Sequence, residues 1–536
     1  MKKVLLLFII GLALSLRIFQ LGQTPASLYW DEVSLGYNAY SIATSLHDEH
    51  GEYVPLARFI AFGDYKPPGY IYAAVPSILT FGLNEFAVRF PSMLAGLLMV
   101  LITYYFTKEL FANDSIALLS SLVIAISPWA IQFSRAAFEA NLAAFFNLFG
   151  VYLFLVSRRK KWIIILSVIS FILSFYTFNA NRIIAPLLLL SLSIIYGKSI
   201  INNKKWVLIS IIISLIALMP SYSYLQSHES KLRFQEVSIF NNLSPVEISN
   251  ERIKTDGNTW WAKIIHNRRI LFAEDYLKHY FDNFSGRFLF THGDINPRLA
   301  VQSMGEFYPW DLPFLLIGIY WLVKKREKNL AVLSIWMMIA AIPAATARET
   351  PHALRILSIL PTYHILIAYG LFHVIKWMKL KIHKQNILIA FSVICFLLSV
   401  NIFYYLHDYY IHYSRDWSGE WQYGYKQMVS YVSSVADKYD HIFVTNALGR
   451  PYIYFAFFDK YSSADFSKNR VAERDWFGFW DVKSLGKIQF DFSTLPKSTG
   501  RILIVNTPGN LPGDFHLLQK VKNLKDEDVF WIAERI

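Results

Sequence analysis

Cysteine is nearly missing from this chain: Cys395 is the only one, so no intramolecular disulfide can form, and its place inside an apolar run leaves the redox compartment unread. No glycine-rich phosphate loop and no Cys or His pair at metal-binding spacing occurs, which removes the P-loop, dinucleotide and zinc-module classes. Internal repeats are absent too, so solenoid and propeller architectures drop out. Charge is sparse at 17% of residues, where a soluble domain carries about 25%. The first apolar run, residues 4–21 after Met1-Lys2-Lys3, lacks a small-residue cleavage site and reads as an uncleaved signal anchor.

Apolar residues dominate instead. They make up 54% of 536 residues, aromatics add up to 17%, and mean hydropathy is positive, a composition that fits a polytopic membrane protein. The formal charge of +13 sits in short Lys/Arg clusters beside apolar runs, where anionic lipid headgroups meet them, so nucleic acid is disfavoured as a partner. Runs near the ~20 residues that cross hydrocarbon lie at 4–21, 88–107, 114–130, 137–156, 162–178, 183–197, 206–222, 311–323, 329–345, 356–376 and 386–406. That is about eleven spans.

Short cytoplasmic loops are enriched in Lys and Arg. Lys2-Lys3, Arg158-Arg159-Lys160-Lys161, Lys198, Lys204-Lys205, Lys324-Lys325-Arg326 and the run 376–384 therefore face inward together with the N-terminus. Residues 68–83 are apolar but short and interrupted by Pro76. A crossing there would turn every later basic loop outward, so a juxtamembrane or re-entrant helix on the outer face is expected. Residues 31–46 carry Val33, Tyr37 and Tyr40 at helical spacing, which suits an amphipathic helix lying in the interface.

The parity of the spans places two soluble parts outside. Residues 223–310 form a large polar and aromatic loop, helical near 260–280. Residues 407–536 form a small α/β domain, with a helix near 421–436 and strand candidates at 441–445, 452–458, 501–506 and 529–533. The expected architecture is an all-α polytopic bundle over residues 1–406 with outer juxtamembrane helices and a first outer loop at 22–87. The extracytoplasmic domain at 407–536 follows it.

The charges left on the outer face form an inventory of reactive types. Asp31-Glu32 follows Leu28-Tyr29-Trp30 just after the first span. Asp31 caps the helix that begins there, or the two carboxylates act chemically at a boundary where charge is costly. In Tyr65-Lys66-Pro67-Pro68-Gly69-Tyr70, the prolines stiffen the backbone beside Lys66. A rigid ammonium there suits a phosphate; a lysine snorkelling to water is the plainer reading. Arg89 stands at the outer end of a span, against the general bias, and takes either a phosphate or the Asp31/Glu32 pair as partner. Arg135 and Glu139 are four apart, which allows a helical salt bridge or a second acid, Glu139, facing the cavity of Asp31. The segment Arg348-Glu349-Thr350-Pro351-His352-Ala353-Leu354-Arg355 is cationic enough to hold an anion. Trp129, Trp310 and Trp321 are assigned to an interfacial belt.

These residues resemble the integral-membrane glycosyltransferases of the GT-C class, in the branch of the dolichyl-phosphate-mannose protein mannosyltransferases and the bacterial lipid A aminoarabinose transferase. The resemblance runs through Leu16-Arg17-Ile18-Phe19-Gln20-Leu21-Gly22, Tyr29-Trp30-Asp31-Glu32, Tyr65-Lys66-Pro67-Pro68-Gly69, Arg89-Phe90-Pro91-Ser92, Ser134-Arg135 to Glu139, and Pro351-His352-Ala353-Leu354-Arg355. It covers most of residues 1–406, and its specificity lies in the order and shared sidedness of the pieces. By that similarity Asp31 matches the family's catalytic acid, Lys66 its donor-phosphate lysine and Glu139 its second acidic position. Residues 223–310 are too short and too little β-patterned for the sugar-binding insert of the eukaryotic members, so a protein acceptor is not supported.

The resemblance implies a GT-C-like fold in the plasma membrane and transfer of a sugar from a polyprenyl-phosphate donor to an acceptor hydroxyl at the outer face, with inversion. Asp31, Glu32 and Glu139 are the expected catalytic group, and Lys66, Arg89, Arg348 and Arg355 the expected phosphate ligands. Tyr29, Tyr65, Arg135 and His352 would line the pocket. No cofactor is required; a divalent metal, used by some GT-C enzymes, is disfavoured by the dispersal of the carboxylates. The rival reading is a lipid or polysaccharide transporter, whose charges gather near the bilayer midplane rather than at one rim.

Overall fold

The computed structural model describes residues 1–62, 64–327, 329–381, 384–475, 478–495 and 500–535. Two positions of the basic run 376–384, residues 382 and 383, lie outside the described residues. The chain is mostly helical. It opens with α1 (Lys2–Ile18), α2 (Trp30–Ser45), the hairpin β1 (Phe59–Ala61) and β2 (Asp64–Lys66), α3 (Gly69–Phe81), α4 (Glu85–Phe111), α5 (Asp114–Ile126), α6 (Pro128–Arg135), α7 (Glu139–Ser157), α8 (Ile163–Phe175) and α9 (Asn181–Ile195). Among the described residues, four helices are long and apolar enough to cross a bilayer: Glu85–Phe111, Glu139–Ser157, Lys204–Gln226 and Leu357–Leu380. The pair α5 and α6, bent by 56°, makes a fifth if it counts as one span. Every apolar run expected to cross is helical, but several helices are shorter than a full span, Ile163–Phe175, Asn181–Ile195 and Asn329–Ala344 among them.

By its contacts the chain divides into two compact units. The first comprises Met1–Leu16, Ala95–Gln132 and Glu139–Ile402; the second comprises Arg17–Leu94, Phe133–Phe138 and Phe403–Ile536.

The first unit is a helical bundle. The helix Lys204–Gln226 exposes Leu208, Ile211, Ile212, Leu215, Ile216 and Met219, the surface that hydrocarbon rather than water would cover. The helices Asp311–Lys324 and Thr362–Lys381 approach backbone to backbone. A Cβ on Gly370 would stand 1.8 Å from the Phe314 carbonyl oxygen, the small-residue contact typical of membrane helices. Trp129 departs from the expected interfacial belt: it is fully buried, 5.7 Å from both Phe288 and Phe307.

The second unit holds the hairpin, α2, α3 and a seven-stranded mixed sheet in the order β4-β5-β6-β3-β7-β9-β8. Its strands are β3 (His441–Val444), β4 (Arg470–Arg474), β5 (Trp480–Leu485), β6 (Ile488–Gln489), β7 (Ile502–Asn506), β8 (His516–Lys522) and β9 (Asp528–Arg535). β3 runs parallel to β6 and β7, and the other pairings are antiparallel. Ile502, Leu503, Ile504 and Val505 are all buried, as the continuous apolar run of a strand covered on both faces requires. Residues 452–458, a strand candidate by sequence, form the helix Pro451–Phe458. A short apolar run has no period to separate strand from helix, and Pro451 at the first turn favours the helix.

α2 also departs from expectation. It buries Glu32, Ser34, Asn38 and Ser41 as well as Val33, Leu35, Tyr37 and Ile42, so it is no interfacial helix with a wet face. α3 and the helix Pro451–Phe458 pack against it, and their side chains take the place of water.

Candidate active site

The chain enters α2 through a segment held by two buried arginines. All five N–H donors of Arg89 are engaged: Nε donates to Glu32 Oε1 at 2.9 Å, Nη1 to the carbonyls of Leu21 (3.2 Å) and Pro25 (2.8 Å), and Nη2 to Ser27 O (2.5 Å) and Glu32 Oε2 (3.0 Å). Glu32 is filled in return, since Oε1 also accepts the Ala137 N–H at 2.8 Å and Oε2 the Tyr29 N–H at 3.4 Å. Neither side chain has any exposed surface. Burying this pair is tolerable only because every donor and acceptor is matched. Arg135 acts likewise, donating to the carbonyls of Arg17 (3.0 Å), Phe19 (2.6 Å) and Thr24 (3.1 Å), with its guanidinium over the Tyr409 and Tyr410 rings.

The expected roles of three residues change accordingly. A guanidinium with five engaged donors has none left for a phosphate, so Arg89 is a frame residue rather than a phosphate ligand. Glu32, expected in the catalytic group, is the anion of that frame. Arg135, expected in the pocket, braces the segment 17–24. The helical Arg135–Glu139 pair has no common helix to stand on, because α6 ends at Arg135 and α7 begins at Glu139.

Asp31 is what the frame presents. It is the second residue of α2 rather than its cap, Tyr29 holding the capping position in an extended conformation. Glu32 reaching back to the Tyr29 N–H is the carboxylate half of a capping box. Asp31 therefore points elsewhere: Lys66 Nζ donates to its Oδ1 at 2.6 Å. The Asp31 side chain keeps 26% of its exposure and Lys66 only 8%, so the pair lies at an edge open to a ligand. Lys66 ends β2, opposite Phe59 in the hairpin register, and Pro67-Pro68 lead directly into α3. The hairpin on one side and prolines on the other leave its backbone little freedom. Tyr65 is buried with its ring 6.5 Å from Phe479, and Tyr29 packs against Phe138 and Trp421.

The remaining predicted residues belong to the first unit. Glu139 opens α7 and is half-buried. The segment carrying Arg348, His352 and Arg355 is tied to the large loop: the Arg348 N–H donates to Val237 O (3.1 Å), the His352 N–H to Asn283 Oδ1 (3.0 Å), and the Ala353 N–H to Asp294 Oδ2 (2.7 Å). Arg348 lines a cavity of about 780 Å³ with Asn241, Glu274, Asp275 and His279.

Sequence reading missed two buried acidic groups. Asp294 has its carboxyl pushed up to about 6 by burial, and Glu306, which accepts the Asp294 N–H, is raised by burial and by Asp294. Asp48 is likewise pushed up to about 6 by burial, beside the buried Glu49. No motif marks them, since their neighbours come from distant segments: Tyr452 and Arg470 approach Glu49.

Known proteins resemble this chain in sequence and in fold. Residues 8–229 match the family described as dolichyl-phosphate-mannose-protein mannosyltransferase. A curated protein of Bacillus subtilis (strain 168), named "Putative mannosyltransferase YkcB", is 28% identical over 185 residues, which is 34% of this chain and 25% of that protein. The match thus spans a quarter of that relative's length. Among solved structures, ArnT from Cupriavidus metallidurans in the apo state aligns over 99% of this chain and 97% of its own, with a TM-score of 0.54 at 12% identity. The same protein bound to undecaprenyl phosphate aligns over 100% and 97%, with a TM-score of 0.51 at 10% identity. Residues 8–229 are thus similar to the dolichyl-phosphate-mannose-protein mannosyltransferase family, in a chain whose fold is similar to that of ArnT.

Proposed function

We propose that this chain is a multi-pass membrane glycosyltransferase that moves a sugar from a polyprenyl-phosphate donor to an acceptor hydroxyl at the extracytoplasmic face, with inversion. The observation that carries the reading is the Asp31–Lys66 pair, 2.6 Å apart and partly open, standing beside the fully buried Arg89–Glu32 pair. The fold supports a lipid-linked donor, since ArnT has been solved with undecaprenyl phosphate bound. About eleven spans, an inner N-terminus and an outer C-terminal domain belong to the same proposal.

In the proposed reaction the donor phosphate takes Lys66 away from Asp31. The freed Asp31 carboxylate accepts the proton of the acceptor hydroxyl as its oxygen bonds to the anomeric carbon. The bond from that carbon to the phosphate oxygen breaks, and polyprenyl phosphate leaves with the electron pair. Cations beside the departing oxygen stabilise the charge that grows there. Tyr29 and Tyr65 bound the sugar pocket. Glu32, Arg89 and Arg135 hold the geometry. No cofactor is required in this reading, and a divalent metal is disfavoured by the dispersal of the carboxylates.

The test is sugar transfer from a panel of labelled undecaprenyl-phosphate sugars by purified protein. Asp31→Asn is expected to lower turnover by about 10²–10⁴-fold, the usual worth of a general base, and Lys66→Ala to weaken donor binding chiefly. Near-normal turnover by Asp31→Asn removes it as base. A lipid carrier moved with its glycosidic bond intact points to a transporter.

A further inference from the structure

The helix that carries Asp31 is capped from the other end of the chain. The first N–H of α2, that of Trp30, donates to Gln422 Oε1 at 2.7 Å, across 392 residues of sequence. Such terminal N–H groups have no partner within their own helix, and Tyr29, at the capping position, is not among the residue types that supply one. The Tyr454 hydroxyl donates to the same amide oxygen at 2.7 Å and lies 3.1 Å from the Leu28 carbonyl. Gln422 Nε2 donates to Leu448 O at 2.9 Å. The amide is thus oriented by both of its ends, with oxygen toward α2.

Several features show how tightly this amide is held. Gln422 adopts φ +57°, a left-handed conformation that is strained for a side-chain-bearing residue and persists where surroundings enforce it. It is 7% exposed. Gly449 lies against it at φ +138°, where a Cβ would stand 2.5 Å from the Trp30 ring and 2.6 Å from Gln422 Nε2. Tyr454 stacks on Tyr425 at 4.1 Å, and Tyr425 packs on Phe530 of β9 at 5.0 Å, so the amide is tied to the sheet.

We propose that Gln422 is a positioning residue for Asp31: the segment 407–536 sets the first turn of α2, and with it the direction of the carboxylate toward Lys66. This rests on the reading of Asp31 as base. It gives that segment a part in the transfer reaction without any contact to the sugar. A displacement of about 1 Å at a reacting group costs about a hundredfold in rate, and the first turn of α2 is where such a displacement would arise.

The experiment compares full-length Gln422→Leu, Gln422→Glu and Asp31→Asn, using whichever undecaprenyl-phosphate sugar the unaltered protein turns over. Gln422→Leu removes the acceptor at similar volume and is expected to lower kcat by about tenfold or more, with KM for the donor within about twofold and an unchanged melting temperature. Gln422→Glu keeps an oxygen at the same reach and is expected to restore most of kcat. If Gln422→Leu does not fold, Tyr454→Phe takes its place, with a smaller loss of kcat at constant KM. Normal kcat in the folded Gln422→Leu or Tyr454→Phe protein, beside an inactive Asp31→Asn, overturns this inference alone. A joint fall of kcat and stability that Gln422→Glu does not relieve also overturns it, leaving a purely structural contact. Full turnover by Asp31→Asn, or no sugar turned over at all, takes the base assignment down and this inference with it.

Discussion

Arg89 and Glu32 show how two adjacent acidic residues divide their labour. Glu32 accepts four hydrogen bonds, two from one guanidinium and two from backbone amides, while Asp31, one residue earlier, keeps part of its side chain exposed beside Lys66. Removing one partner of the buried pair strands the other charge. Arg89→Ala and Glu32→Ala should therefore each cost about 3–5 kcal/mol, read as a large fall in melting temperature in detergent. Arg89→Lys should rescue little, because an ammonium has three donors in the wrong directions for five acceptors. A second prediction concerns Asp48, whose carboxyl burial raises to about 6 from an ordinary 3.8. Below pH about 4 the group is protonated both folded and unfolded. Between 4 and 6 the folded state holds a proton that the unfolded chain releases, so stability falls as pH rises through that window and stays reduced above it. Asp48→Asn should abolish its share of that slope, measured as the difference in melting temperature from the unaltered protein between pH 4 and 6.5. A constant offset from the new amide would leave this difference in slope intact.

At the scale of elements, α2 and the helix Pro451–Phe458 carry the lesson about legibility. The start of α2 was readable from Asp31-Glu32 followed by Val33, Tyr37 and Tyr40. Its surroundings were not, because the polar positions Ser34, Asn38 and Ser41 look like a wet face until a partner element from residue 451 onward is placed on them. The same is true of that partner. Pro451–Phe458 is apolar throughout and buried throughout, and apolar residues on every side erase the period that tells a helix from a strand. The strands β3, β7 and β9 were found because they are rich in β-branched and aromatic residues; β4, β5 and β8 are more polar and were missed. The docking of these elements has a direct test. Gly449→Ala places a methyl group against the Trp30 ring in an unfavourable backbone conformation. It should destabilise the protein by about 1–3 kcal/mol, seen as a lower melting temperature and faster proteolysis of residues 407–536.

For the whole molecule, sidedness is the prediction that matters most, since the proposed reaction needs a lipid-linked donor at the outer face. In a Cys395→Ser background, a membrane-impermeant thiol reagent added to intact cells should label Ser434→Cys and spare Lys160→Cys until the membrane is opened. The reverse pattern would put the site on the cytoplasmic side. The amino-acid sequence by itself determined that the chain is rich in apolar runs suited to a membrane, and it set the expectations that the basic clusters share one side and that Asp31 and Lys66 belong to the site. Those conclusions depend on composition and on short-range spacing, which a linear reading holds in full. Only the tertiary structure decided how each charge is held. Arg89, Glu32 and Arg135 are written in the same chemical alphabet as Asp31 and Lys66, but they are buried against carbonyls, backbone amides and, for Arg89 and Glu32, each other. That burial is a property of contacts between distant segments, as is the cap that Gln422 places on α2, and no local pattern encodes it.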